Sequence, residues 1–146
     1  MAAWTIHLRA SELNRVLSAA FPMAGEVEQI REVTPGRIRI VRPLHPAMIG
    51  IWPGGLISGP TLMSLADMAA YALVMAHVGV ELMAVTSSLT INFLRGAKPG
   101  EIVAEGELLS LGRRLAVCDV RIWTESPERP AAQATVTYAR AASAAA

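Results

Sequence analysis

The stretch Gly54-Gly55-Leu56-Ile57-Ser58-Gly59-Pro60-Thr61-Leu62-Met63-Ser64-Leu65-Ala66-Asp67 decides the fold. Pro60 suits a first helical position and Gly59 the N-cap before it, so a helix is predicted over about 60–78, closed by Gly79. From Leu62 to Ala76 nearly every residue is apolar, and Asp67 is the only charge. A helix that is apolar all round belongs in a core. A buried carboxylate is costly unless it is paired or used, so Asp67 requires a reason. The backbone N–H groups at the helix start favour negative charge. One short segment thus offers an anion site and, two turns on, a candidate general base.

Around this helix the remaining pattern is strand. Ser11 to Ala20 reads as a short amphipathic helix stopped by Pro22. Val27 to Thr34 and Arg37 to Val41 flank Pro35-Gly36, a strong turn signal. A Pro- and Gly-rich loop, Pro43 to Gly55, leads to the central helix. Met83 to Leu94, which alternates, and Ile102 to Leu111, Leu115 to Thr124 and Ala131 to Ala139 read as four further strands, expected to run as a meander through turns at Pro99-Gly100 and Gly112-Arg113. The fold class is α+β: a curved antiparallel sheet of about six strands around one long helix, in a single domain over 1–146 whose Ala-rich end after Arg140 is expected to fray.

The 146 residues are 53% hydrophobic, with a mean hydropathy of +0.40. Such richness points to a buried helix plus a subunit interface. Asp67 near the middle of Thr61 to Val80, and the absence of a basic flank, argue against a membrane span there. A net charge of +1 without a Lys/Arg cluster argues against nucleic acid. The single Cys118 excludes an intrachain disulfide and reads as a small core residue. With no signal-peptide core at the N-terminus, the expected location is cytoplasmic. His45 and His77 stand alone, and no His/Cys/carboxylate spacing fits a metal site.

The chain resembles the hotdog-fold acyl-CoA thioesterases related to the phenylacetate-pathway enzyme. Ser58-Gly59-Pro60 followed by Leu65-Ala66-Asp67 sits where that family has His-Gly-Gly followed by Leu-x-Asp. Thr90-Ile91-Asn92-Phe93-Leu94-Arg95 with Pro99-Gly100 resembles its strand-end motif, and Leu111-Gly112-Arg113-Arg114-Leu115 its glycine-plus-basic turn. The family's histidine is Ser58 here, its second glycine is Pro60, and an asparagine six residues before the histidine falls on Trp52.

The resemblance implies a thioesterase acting on an acyl-CoA, with no cofactor beyond the coenzyme A of the substrate. Asp67 would be the general base, or the nucleophile. The Gly59 N–H would donate to the oxyanion, and Thr86 would help hold the attacking water. Each has a plain alternative: Asp67 as a capping or ion-paired side chain, Gly59 as a cap only, Thr86 as a β-branched strand residue. Ser58 and Trp52 fall where substrate-binding residues sit. Arg95, Lys98, Arg113 and Arg114 are candidates for the coenzyme A phosphates, or solvated turn charges. The family builds its site between the subunits of a homodimer, with Gly59 of one facing Asp67 and Thr86 of the other, and dimers usually pair into tetramers. The competing reading is a hotdog protein that binds acyl-CoA or a partner without turnover.

Overall fold

The computed structural model describes residues 4–22, 28–51 and 54–141. α1 (Ala10–Ala20) is followed by β1 (Gln29–Thr34), β2 (Arg37–Arg42), a 3-10 turn at Pro46–Met48, α2 (Gly59–Val78), then β3 (Val85–Phe93), β4 (Ile102–Leu111), β5 (Leu115–Trp123) and β6 (Ala132–Ala139). The strands form one six-stranded antiparallel sheet in the order β1-β2-β4-β5-β6-β3. This is the hotdog arrangement, with the sheet curved around α2.

Period-two alternation supplies the inner face of the sheet: Ile38 and Ile40 on β2, Ile102 and Ala104 on β4, Ala116, Cys118, Val120 and Ile122 on β5, and Ala132, Ala134 and Val136 on β6 are all buried. Small residues let the helix approach. A Cβ at Gly106 would lie 3.2 Å from Leu73 of α2, so β4 has its glycine where the two touch. Cys118 is fully buried in this layer, and burial pushes its thiol up to about 12, which makes it a packing residue. α2 is long and apolar enough to cross a bilayer by length and composition, yet 67% of its apolar window is buried inside the protein. It is the core around which the sheet folds.

Three local expectations are corrected. Strands three to six do not form a meander: β4, β5 and β6 do, but β3 lies at the edge beside β6, and the Pro99-Gly100 segment carries the chain from that edge to the centre of the sheet. β3 does not alternate, since seven of its nine residues are exposed. The N-cap of α2 is Ser58, with Gly59 and Pro60 as the first two helical residues. Serine wins because its hydroxyl accepts a hydrogen bond from the Thr61 N–H, which glycine cannot do. The Ala-rich end after residue 141 and Val27 lie outside the described residues.

The helix ends tie in the rest of the chain. His77 is buried, its Nε2 accepting from the Gly36 N–H at 2.8 Å in the β1–β2 turn, where a φ of +76° requires glycine. α1 packs Leu13 and Leu17 inward, and the Asn14 amide exchanges two hydrogen bonds with the Ile30 backbone, at 3.0 and 2.9 Å.

Candidate active site

Helical spacing places Ser64, Asp67, Met68 and Tyr71 along one stripe of α2, the stripe the sheet leaves uncovered. Together with Thr86 of β3 and Tyr138 of β6 it borders an open cleft of about 570 Å³. Asp67 is half-buried there, not sealed in the core. Its Oδ1 accepts two O–H donors, Thr86 at 2.7 Å and Tyr138 at 2.6 Å. No hydrogen bond reaches Oδ2, and no ion pair reaches Asp67, among the described residues. The carboxylate is therefore oriented through one oxygen and open through the other.

Thr86 faces Asp67 because of a register break. It pairs with Tyr138, the next pair is Ser88 with Thr137, and the bulge at Ser87 shifts the alternation between them. A one-residue slip would turn the Thr86 side chain to the other face, and the bulge fixes its register. Tyr138 went unread. Its signal was parity: on β6 it follows Ala134 and Val136 on the core face, and a buried tyrosine hydroxyl needs an acceptor. Burial raises its pKa well above the usual tyrosine value, and the Asp67 bond adds to this, so the hydroxyl stays protonated and keeps donating.

The helix start is a separate place. Gly59 and Asp67 are eight residues apart on α2, about 12 Å along its axis. The Gly59 N–H, in the first turn, has no intrahelical acceptor. Beside it is the far end of β3: a Cβ on Gly59 would lie 3.2 Å from the Phe93 ring. Ser58 is engaged there, sharing a 2.8 Å hydrogen bond with the Thr61 hydroxyl, away from the Asp67 cleft. One chain does not bring Gly59 to Asp67.

A model of the thioesterase superfamily matches residues 54–131, more than half of the chain and all of α2 and β3. The chain belongs to the thioesterase superfamily. By that membership it is an enzyme of thioester hydrolysis. A candidate thioesterase from Silicibacter sp. TM1040 is 32% identical, with a TM-score of 0.85 over 95% of this chain and 96% of that one. A thioesterase from Haemophilus influenzae shares the fold at 20% identity and a TM-score of 0.77, over 94% of each chain. A hypothetical thioesterase from Streptococcus pneumoniae, solved with coenzyme A, does so at 24% identity and 0.68, over 80% of this chain and 87% of that one. No functionally curated protein matches the sequence.

The thioesterase's basic residues divide between the two ends of β3. Arg95 and Lys98 are exposed beyond its C-terminal end, near the start of α2, with Lys98 3.6 Å from Glu125. Arg113 and Arg114 are exposed in the β4–β5 turn, beyond the Thr86 end. That turn is held by Arg140, whose backbone N–H donates to the Arg114 carbonyl at 2.7 Å and whose guanidinium pairs with Glu81 at 2.8 Å. Trp52 lies outside the described residues. His45 is exposed and its Nδ1 accepts from the Ala47 N–H. No cluster of three metal-ligating side chains gathers among the described residues.

Proposed function

We propose that this thioesterase hydrolyses a short- or medium-chain or aromatic acyl-CoA to the free acid and coenzyme A, with Asp67 as general base. The observation that carries the reading is the carboxylate itself: oriented through Oδ1 by two neutral O–H donors, facing an open cleft through Oδ2. Asp67 takes a proton from water as the water oxygen bonds to the thioester carbonyl carbon. The oxyanion that forms is stabilised by the partner's Gly59 N–H at a helix N-terminus. Collapse breaks the C–S bond, and the thiolate leaves as coenzyme A, taking up the proton. Water is the only co-reactant, so the reaction needs no cofactor. An un-neutralised carboxylate in an open cleft supports turnover over binding alone.

The two half-sites meet through β3. Among the described residues its outer backbone edge pairs with no strand, and most of its side chains are exposed, including Val85 at 59% and Phe93 at 51%, which suits pairing with a second copy. Antiparallel pairing about Leu89 sets Thr86 opposite the partner's Asn92 and brings the partner's Gly59, which packs on Phe93, to the Asp67 cleft. Arg113 and Arg114 of one subunit then flank Arg95 of the other, a basic rim suited to the phosphates of coenzyme A. Ser58 keeps the donor helix capped at that junction. Apolar side chains that remain outside, such as Ile51 at 78%, suit pairing of two dimers into a tetramer. A free buried thiol suits a reducing cytoplasm. The coenzyme A bound by the Streptococcus pneumoniae protein of the same fold supports it as the carrier.

Complementation tests the shared site. Gly59→Val and Asp67→Asn proteins should each be nearly inactive on acyl-CoAs. Mixed and re-annealed, they should regain up to about one quarter of wild-type activity, because half of the dimers then hold one intact site. Two inactive variants that never complement, in a mixture shown to exchange subunits, would refute the shared site.

A further inference from the structure

The Asp67 cleft has a second polar end. Arg42 closes β2 at a core-facing position, in step with Ile38 and Ile40, and is only 7% exposed. Its Nη1 donates to the Ser64 hydroxyl at 2.6 Å and the Thr61 carbonyl at 3.2 Å, and its Nη2 is ion-paired with Glu28, itself 10% exposed. The enclosed Nε has no acceptor among the described residues. Arg42, Glu28 and Ser64 all border the same cleft as Asp67, with Phe21, Met68 and Tyr71 as apolar wall between the ends.

Stability does not account for this pair. Replacing a buried ion pair with apolar residues of similar size is often neutral or stabilising, and a third aliphatic residue would simply extend Ile38 and Ile40. Burial even pulls the Arg42 guanidinium down to about 10. The arrangement instead presents a charge-neutral unit with both a donor and an acceptor to the space beside the catalytic carboxylate.

We propose that Arg42, Glu28 and Ser64 form the subsite that selects the acyl group, and that the selected group carries a hydroxyl a short way beyond the thioester carbonyl. This rests on Asp67 being the hydrolytic carboxylate. A hydroxyl accepts from the guanidinium and donates to Glu28 at once. A carboxylate would meet Glu28 as a like charge, and a plain alkyl end would cover the pair without making a hydrogen bond to it. Distance sets the chain position. Ser64 and Asp67 are one turn apart, about 5–6 Å, so the hydroxyl belongs on roughly the third to fifth carbon. Short hydroxyacyl thioesters are the substrate class.

Wild-type enzyme is assayed on 3-hydroxyhexanoyl-CoA, 5-hydroxyhexanoyl-CoA and hexanoyl-CoA, beside Glu28→Gln, Arg42→Met/Glu28→Leu and Asp67→Asn. At least one hydroxylated substrate should exceed hexanoyl-CoA by about tenfold or more in kcat/KM, the worth of a hydrogen bond to a charged group. In the double variant that ratio should fall to near one, and in Glu28→Gln, whose amide oxygen still accepts, it should fall about threefold. If the double variant does not fold, the wild-type and Glu28→Gln ratios decide. Equal wild-type kcat/KM on all three, or a preference that survives in both variants, overturns the subsite. Equal rates that Asp67→Asn abolishes overturn the subsite and leave the thioesterase mechanism standing. No turnover of any of the three overturns the subsite, and no turnover of benzoyl-CoA or phenylacetyl-CoA either overturns the thioesterase reading as well.

Discussion

Asp67 and Arg42 border one cleft, yet the protein treats their charges in opposite ways. Asp67 is only partly buried and meets only neutral partners, the hydroxyls of Thr86 and Tyr138. Arg42 is enclosed and is given a full counter-charge in Glu28. Two neutral donors orient an anion without cancelling it, so its free oxygen stays available as a base. An opposite charge cancels and immobilises. The contrast teaches that, in a mostly apolar cleft, the group left un-neutralised is the one available for chemistry, and the neutralised pair is available for recognition.

The most severe break is on the Asp67 side. Asp67→Asn keeps the shape and removes the base, and kcat on the best acyl-CoA should fall about 10²–10⁴-fold, measured by thiol release. Stability should hardly change, because the asparagine oxygen still accepts from Thr86 and Tyr138. On the Arg42 side the pattern reverses. Arg42→Met alone strands the Glu28 carboxylate and should cost about 3–5 kcal/mol in urea unfolding, whereas Arg42→Met/Glu28→Leu should recover most of it.

Tyr138→Phe sharpens the Asp67 half. The ring remains packed and one donor disappears, so kcat should drop about tenfold with KM little changed. The smallest effect lies outside the cleft, at His77. Burial lowers its pKa below the usual histidine value, with His7 contributing and the Leu73 carbonyl opposing. The neutral ring is the folded form, since Nε2 accepts from Gly36. Stability should therefore be full above about pH 6.5, where the unfolded chain is also neutral, and fall as the pH drops through the lower folded-state value. The loss should be at most about 2 kcal/mol, seen as a lower urea midpoint at pH 5 than at pH 7.5, and smaller in His77→Gln.

Much of the helix and its cargo was legible. Asp67 stood out because a lone charge interrupts an apolar run, and Gly79 marked the end of α2 because only glycine takes its φ of +92° easily. The place of Thr86 depended on a bulge, which no local pattern announces. Tyr138 and Arg42 were readable by strand parity alone, since each follows core aliphatics at the alternate position. What each polar end would meet was not readable, because Asp67 is 71 residues from Tyr138 and Glu28 is 14 from Arg42 in sequence.

The sequence by itself determined the kinds of element, their order, the all-apolar central helix and the one carboxylate on it. These follow from periodicity and burial cost, which act over a few residues. Only the tertiary structure decided that β3 takes the edge beside β6, that the Ser87 bulge turns Thr86 toward Asp67, and that two strand ends deliver a tyrosine and an arginine to the same cleft. Strand pairing is set by contacts between distant segments competing for one core, and that competition leaves no mark on neighbouring residues.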